Sequence, residues 1–338
     1  MKNERIPNSD PLKYFARYIR KSTIKDNNTN LETTKKLTKE TVKKYHLYRD
    51  IHYMEDKYGE DMFEWVNENE TKFIKPQKFL KRHLLRKETR TKMVDWMVEV
   101  FYKTKSEPST FELSVHLMDR YISRTRKILY DNDMFLIGLT CIYIASKVMD
   151  IIPLKLFNIA NNIGRGEFLN KDIIYKEKEI SMTINYDFIV AGIYDFLMAF
   201  FYNLNVKNYK KINELDAKEI ISDYMDFCIV LGKLVLYNEY LLSYKTSLIS
   251  VTILTLGFDI LNLKKKNINL NLRNFLANWI YYIRKELDII PYDAEIVYKI
   301  ILQVYNDYIY QPIKQINKKR KTYVEKINLI KYYKDKLL

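Results

Sequence analysis

Glycine and proline are scarce in this sequence, seven of each among 338 residues, and histidine and cysteine are scarcer, four and two. So few turn-formers and helix-breakers favour long helices over a many-stranded sheet. The two cysteines, Cys141 and Cys228, lie far apart in apolar stretches. They cannot form a zinc site alone and make no disulfide framework, which fits a reducing intracellular compartment. His46, His52, His83 and His116 supply no i, i+4 ligand pair. A Gly-rich phosphate loop, a G-x-S-x-G elbow, a C-x-x-C pair and a D-D-x-x-D run are also missing, so neither a metal, a cofactor nor a catalytic residue is expected. Long apolar runs are interrupted: 135–152 contains Lys147 and 247–263 contains Asp259. Both read as buried helices, not membrane spans. The opening "MKNERIPNSD" lacks the apolar core of a signal peptide, and a soluble intracellular protein is expected.

What is present is apolar material, 47% of the chain, and a formal charge of +15. The length exceeds one simple helical bundle. Lysines are spread throughout, without zinc-finger spacing or an Arg-rich aromatic platform, so nucleic acid is not the favoured partner. Residues 1–45 are polar and unpatterned and read as a mobile arm. Residues 46–85 form an N-terminal helical segment in which Met62, Trp65 and Val66 make an i, i+3, i+4 stripe. Five helices are then expected within 86–188, opened by Ser109 or Thr110, Asp131 or Asn132, Pro153 and Asn170 as caps. About five more follow within 189–310, and 311–338 is a basic tail. The third helix of each half is the most apolar. It is preceded by "LMDRYIS" in the first half and "LYNEYLL" in the second, which suggests two similar units in tandem.

The stretch "ETRTKMVDWMVEV" at 88–100 places Asp95 and Glu99 on one helix face, as an acid pair or a metal site would require. Its apolar residues, however, cover an arc of roughly 200°. The narrow polar stripe pairs acids with Lys92 and Lys103. That pattern predicts a central packing helix with a surface ion pair from Glu99 to Lys103.

The same stretch resembles the cyclin box of mitotic (A/B-type) cyclins, where a Met-Arg-x-Ile-Leu segment runs into Val-Asp-Trp-Leu-Val-Glu-Val. "LMDRYIS", "ASKVMDIIP" and "KEKEISMTINYDF" follow in family order, and "YGEDMFEWVNENETKFIKP" looks like the family's N-terminal helix. The resemblance implies an all-α fold of two tandem five-helix cyclin boxes preceded by an N-terminal helix. It further implies a non-enzymatic regulatory subunit that activates a cyclin-dependent serine/threonine protein kinase and acts in the cell cycle, at G2/mitosis. The polar kinase contacts it implies are Lys147 and Glu177, with apolar contacts from Met62, Ile144, Val148, Tyr186 and Phe188. Arg90 and Asp119 match a structural ion pair between the first two helices.

The family's substrate-docking patch corresponds to Thr89, Lys92, Met93, Trp96, Glu99 and Phe135. Thr89 and Lys92 stand where the family has Met and Ile, and Phe135 where it has Gln, so the patch is degenerate and Arg-x-Leu docking is weakened. Met149 replaces one of two acids after the third-helix Lys. The Arg-x-x-Leu destruction signal is absent from the arm, and "RHLL" at 82–85 and "RKIL" at 126–129 fall in predicted structure. "KKRK" at 318–321 is a candidate nuclear import signal, consistent with nucleus and cytoplasm. The alternative is a cyclin-fold transcriptional cyclin or general transcription factor acting on promoter DNA.

Overall fold

The computed structural model describes residues 59–70, 79–189, 191–208, 215–264 and 270–310. The expected mobile arm at 1–45 and the basic tail with its "KKRK" cluster lie outside the described residues. Among the described residues there are ten α-helices and no strand beyond a single isolated bridge. They are α1 Gly59–Glu70, α2 Lys87–Thr104, α3 Pro108–Arg124, α4 Asp133–Met149, α5 Asn170–Thr183, α6 Ile193–Asn208, α7 Leu215–Val235, α8 Thr246–Lys264, α9 Leu270–Glu286 and α10 Pro291–Tyr310. A π-helical turn, Asn158–Ile163, occupies the fourth place in the first unit.

The central helix is α3, not α2. Every residue from 110 to 122 is buried, while α2 leaves Lys92 exposed and Asp95 and Glu99 half-buried. Alpha-3 therefore carries buried polar groups, each needing a partner, and these groups organise the fold. Asp119 receives Nε and Nη2 of Arg90, both at 2.8 Å, and the two side chains are almost completely buried. The same guanidinium reaches out of the first unit to the carbonyls of Leu236 (2.9 Å) and Tyr237 (3.3 Å), just past the end of α7. A cation there also meets the negative end of the α7 dipole. Asp95 accepts the Tyr237 hydroxyl at 3.2 Å. The carboxylate pair that suggested chemistry thus belongs partly to the joint between the two units.

A second joint is built on Glu112 of α3. Its Oε1 accepts the Ile193 N–H at 2.6 Å and its Oε2 the Tyr194 N–H at 2.8 Å. These are orphan donors of the first turn of α6. Gly192 precedes that helix and has no side chain with which to cap it; Glu112 does so from another helix. A Cβ on Gly192 would lie 2.5 Å from Glu112 Cδ, so the close approach requires glycine. Glu70 of α1 caps α8 in the same way through the Ser247 N–H. Gly138 has a related role in the first unit, where a Cβ would meet Met93 Sδ at 2.4 Å.

Several local expectations differ from the structure. Alpha-3 is capped from Glu107 with Pro108 at its first position, not from Ser109 or Thr110. Alpha-5 begins at Asn170 after Leu169, whose N–H is taken by Asp172 Oδ2 at 3.0 Å. Residues 153–155 are non-helical, so Pro153 opens no helix. "LMDRYIS" is helical, but "LYNEYLL" forms the turn and 3-10 segment between α7 and α8. The likeness of the two tracts is therefore one of letters; the repeat lies in helix order. The tetrapeptides at 82–85 and 126–129 lie against each other, with the Leu84 N–H on the Leu129 carbonyl at 2.9 Å and Leu129 in the core.

Candidate functional site

Lys147 closes the last turn of α4, where a cation is favoured by the helix dipole. Glu177 projects from α5, and the two side chains form a direct ion pair while remaining partly exposed. Lys147 Nζ also lies 4.4 Å from the centre of the Tyr143 ring, a cation–π contact that fixes its direction. Two residues past Glu177, Glu179 turns inward. Burial alone would raise its pKa, but Lys127, Tyr121 and Lys176 donate to it and hold it down to about 2. Anchoring one acid beneath the surface leaves the other to face outward.

The segment after α4 is pinned from below. Asp150 accepts the Thr110 hydroxyl at 2.7 Å and the Ser146 hydroxyl at 2.7 Å. Ser146 Oγ in turn accepts the Leu154 N–H at 2.8 Å. The span between them carries Ile151, 97% exposed, and Ile152, 85% exposed. A rigidly held loop that projects two isoleucines into solvent marks an interaction surface. Val148 and Met149 are also exposed beside Lys147.

At the other edge, Asn185 and Tyr186 both adopt left-handed backbone, φ 58° and 54°. Such conformations are costly outside glycine and are held here by the Tyr186 N–H on the Ser181 carbonyl at 2.8 Å. Arg120 also holds Asp187, through its carbonyl at 2.6 Å and its carboxylate at 3.0 Å. The turn leaves Tyr186 exposed, edge-on to the half-buried Phe188 at 6.5 Å between ring centres.

Among the expected kinase contacts, Lys147 and Glu177 are therefore together, with Val148 beside Lys147 and Tyr186 and Phe188 on the turn after α5. Ile144 is 2% exposed and belongs to the core, one turn before the exposed end of α4 that carries Lys147, Val148 and Met149. Met62 is half-buried on α1, which packs on the second unit through contacts such as Phe63 to Phe200 at 6.1 Å. Ile151 and Ile152 were missed. The available signal was an apolar pair between a helix end and Pro153, where a loop is expected to be polar.

The expected docking patch is an aromatic row. Trp96 meets Phe135 edge-on at 5.0 Å, and Phe135 meets Phe168 at 5.6 Å. Met93 is buried against Gly138 and is not available as a docking surface. The Thr89 hydroxyl donates to Asp131 at 2.5 Å and, with the Arg86 N–H, lowers the Asp131 pKa to about 2. Lys92 is exposed and Glu99 half-buried. Among the described residues no cluster of His, Cys, Asp and Glu is arranged to hold a metal ion, and no helix is long and apolar enough to cross a membrane.

Residues 61–189, which hold every one of these groups, match the family profile "Cyclin, N-terminal domain". Among curated proteins, the chain is 29% identical over 148 residues to the G2/mitotic-specific cyclin-B3 of Gallus gallus, covering 44% of this chain and 36% of that protein. It is 32% identical over 116 residues to the G1/S-specific cyclin-E of Drosophila melanogaster, covering 34% and 16%. The matched region is about a third or less of the length of these relatives. Among solved structures, a viral cyclin from Herpesvirus saimiri aligns with 18% identity and a TM-score of 0.49, over 69% of this chain and 97% of that one.

Proposed function

We propose that this chain is a member of the cyclin family, on the likeness of residues 61–189 to its N-terminal domain, and the regulatory subunit of a cyclin-dependent protein kinase. The reading is carried by the partly exposed Lys147–Glu177 pair set among the exposed apolar groups Val148, Ile151, Ile152 and Tyr186. An apolar patch with charged groups at hand has the composition of a stable heteromeric interface. In this reading the catalytic groups are the kinase's. This chain's contribution is to hold the kinase C-helix inward, which completes the kinase's own Lys–Glu pair and activation-loop geometry. Exchange of the Lys147–Glu177 contact for contacts with kinase backbone would couple binding to a change on this surface. We place its action at G2/mitosis, in nucleus and cytoplasm; "MVDWMVEV" and the likeness to a G2/mitotic cyclin support the stage.

The test is calorimetric titration of the chain with a purified cyclin-dependent kinase that lacks its cyclin. A one-to-one complex is expected, weakened about tenfold or more by the Lys147→Ala, Glu177→Ala double substitution. No complex with any such kinase tested would remove the reading.

A further inference from the structure

The exposed run at the end of α4 contains one atom that a mild oxidant attacks. From Lys147 to Pro153 every residue but Asp150 is exposed. Val148, Ile151 and Ile152 are aliphatic, whereas Met149, the last residue of α4 and 41% exposed, carries a thioether. Among the described residues only one other methionine, Met182 of α5, is exposed. Met62 and Met198 are half-buried, and the remaining described methionines lie in the core. The two thiols are no rivals for an oxidant. Cys141 and Cys228 are completely buried, and burial raises the pKa of each, which keeps them from the reactive thiolate form.

The backbone on both sides of Met149 is tied down. The Asp150 N–H donates to the Ser146 carbonyl at 3.0 Å, and the Asp150 carboxylate takes the hydroxyls of Ser106, at 3.3 Å, and of Thr110 and Ser146. The thioether is thus presented at a fixed helix end, in the same run as the exposed valine and isoleucines. A sulfoxide at this position would carry a strong acceptor oxygen into an apolar contact. Nearby donors of this chain are already engaged: the N–H groups of Asp150 and Leu154 serve Ser146, and the Lys147 ammonium serves Glu177. Burying that oxygen without a donor opposes association.

We propose that Met149 is an oxidative modification site, and that its conversion to the sulfoxide by a peroxide switches off the kinase-binding surface. The proposal rests on the kinase reading above. In the reaction the sulfur lone pair attacks one peroxide oxygen, the O–O bond breaks and an S–O bond forms. The departing oxygen takes up the proton of the transferred hydroxyl and leaves as water or an alcohol. Sulfur loses two electrons and the peroxide gains them. The step is reversed by a sulfoxide reductase, which draws two electrons from a dithiol. Kinase binding covers the same thioether, so association protects Met149 from oxidation as oxidation opposes association. Met182 is the internal control. It lies five residues past Glu177, about 140° round α5 at 100° per residue, on a different face of that helix.

The test treats the full chain with dilute hydrogen peroxide, removes the excess with catalase, and titrates the product calorimetrically with an untreated cyclin-dependent kinase that lacks its cyclin. Peptide mass spectrometry is expected to find sulfoxide at Met149 and Met182 and none at the core methionines, with the melting temperature unchanged. Affinity is expected to fall about tenfold, the effect of a buried unpaired acceptor, and to return after treatment with methionine sulfoxide reductases for both epimers and dithiothreitol. Met149→Leu is expected to bind equally before and after peroxide, whereas Met182→Leu loses affinity as the wild type does. Peroxide added to the preformed complex is expected to modify Met182 and spare Met149. An equal loss in Met149→Leu, or equal modification of Met149 in the free chain and the complex, overturns the proposal. Binding by the untreated chain that peroxide leaves unaltered overturns this inference alone; no binding by the untreated chain removes the kinase reading and this inference with it.

Discussion

Arg90 joins two parts of the fold through one side chain. It satisfies a buried aspartate on the central helix and two backbone carbonyls of the second box with one planar group. Arg90→Ala strands Asp119 in the core, and a loss of about 3–5 kcal/mol in urea-unfolding free energy is expected. Arg90→Lys keeps the charge but cannot form the two-pronged contact, so an intermediate loss is expected in the same titration. The pairing with Asp119 was legible in the sequence because the matching family positions pair. The contacts to Leu236 and Tyr237 were not, since 146 and 147 residues separate them and no local pattern encodes a carbonyl's direction. Ile144 shows the opposite limit. Adjacency to Lys147 suggested a surface role, but Ile144 lies one turn further into α4, where neighbouring helices cover the face that the last turn exposes.

At the scale of elements, the helices were readable from apolar periodicity, and so were the starts of α4 at Asn132 and α5 at Asn170; several other starts were not. The start of α6 is capped by Glu112 from 81 and 82 residues away, and that of α8 by Glu70 from 177 residues away. Local cap signals cannot report such partners. The cap at α6 also brings two acids together. Burial, and then the charge of Glu112, pushes the Asp195 pKa up to about 7. The folded chain thus binds a proton there that the unfolded chain releases near pH 4. Protonated Asp195 is compatible with burial and ionised Asp195 is not, so stability falls as pH rises towards about 7. This group is expected to lower the melting temperature progressively between about pH 4 and pH 7 and to level off above pH 7, and Asp195→Asn, which retains an acceptor for the Gly192 N–H, is expected to remove that contribution. A slope unchanged by Asp195→Asn would refute this assignment. Gly192→Ala forces a methyl group into the Glu112 carboxylate, and a loss of about 1–3 kcal/mol in unfolding free energy is expected.

At the scale of the whole molecule, the buried apolar residues of both boxes form one continuous cluster, and Arg90, Asp95, Glu112 and Glu70 tie the described parts together across it. One cooperative unfolding transition is expected by calorimetry, with equal calorimetric and van't Hoff enthalpies. Two resolved transitions would show that the boxes unfold separately. The surface on the first box is proposed to act on a kinase, and its parts were unequally legible. Lys147 and Glu177 stood in recognisable motifs, whereas the exposure of Ile151 and Ile152 depends on how Asp150 and Ser146 pin the loop. The most direct test is phosphoryl transfer by a purified cyclin-dependent kinase that is inactive alone, assayed with the wild-type chain and with the Lys147→Ala, Glu177→Ala chain. The account predicts strong activation by the wild type and little or none by the double variant at equal concentration. Equal activation by both would contradict the placement of the surface, and activation by neither would contradict the regulatory function itself.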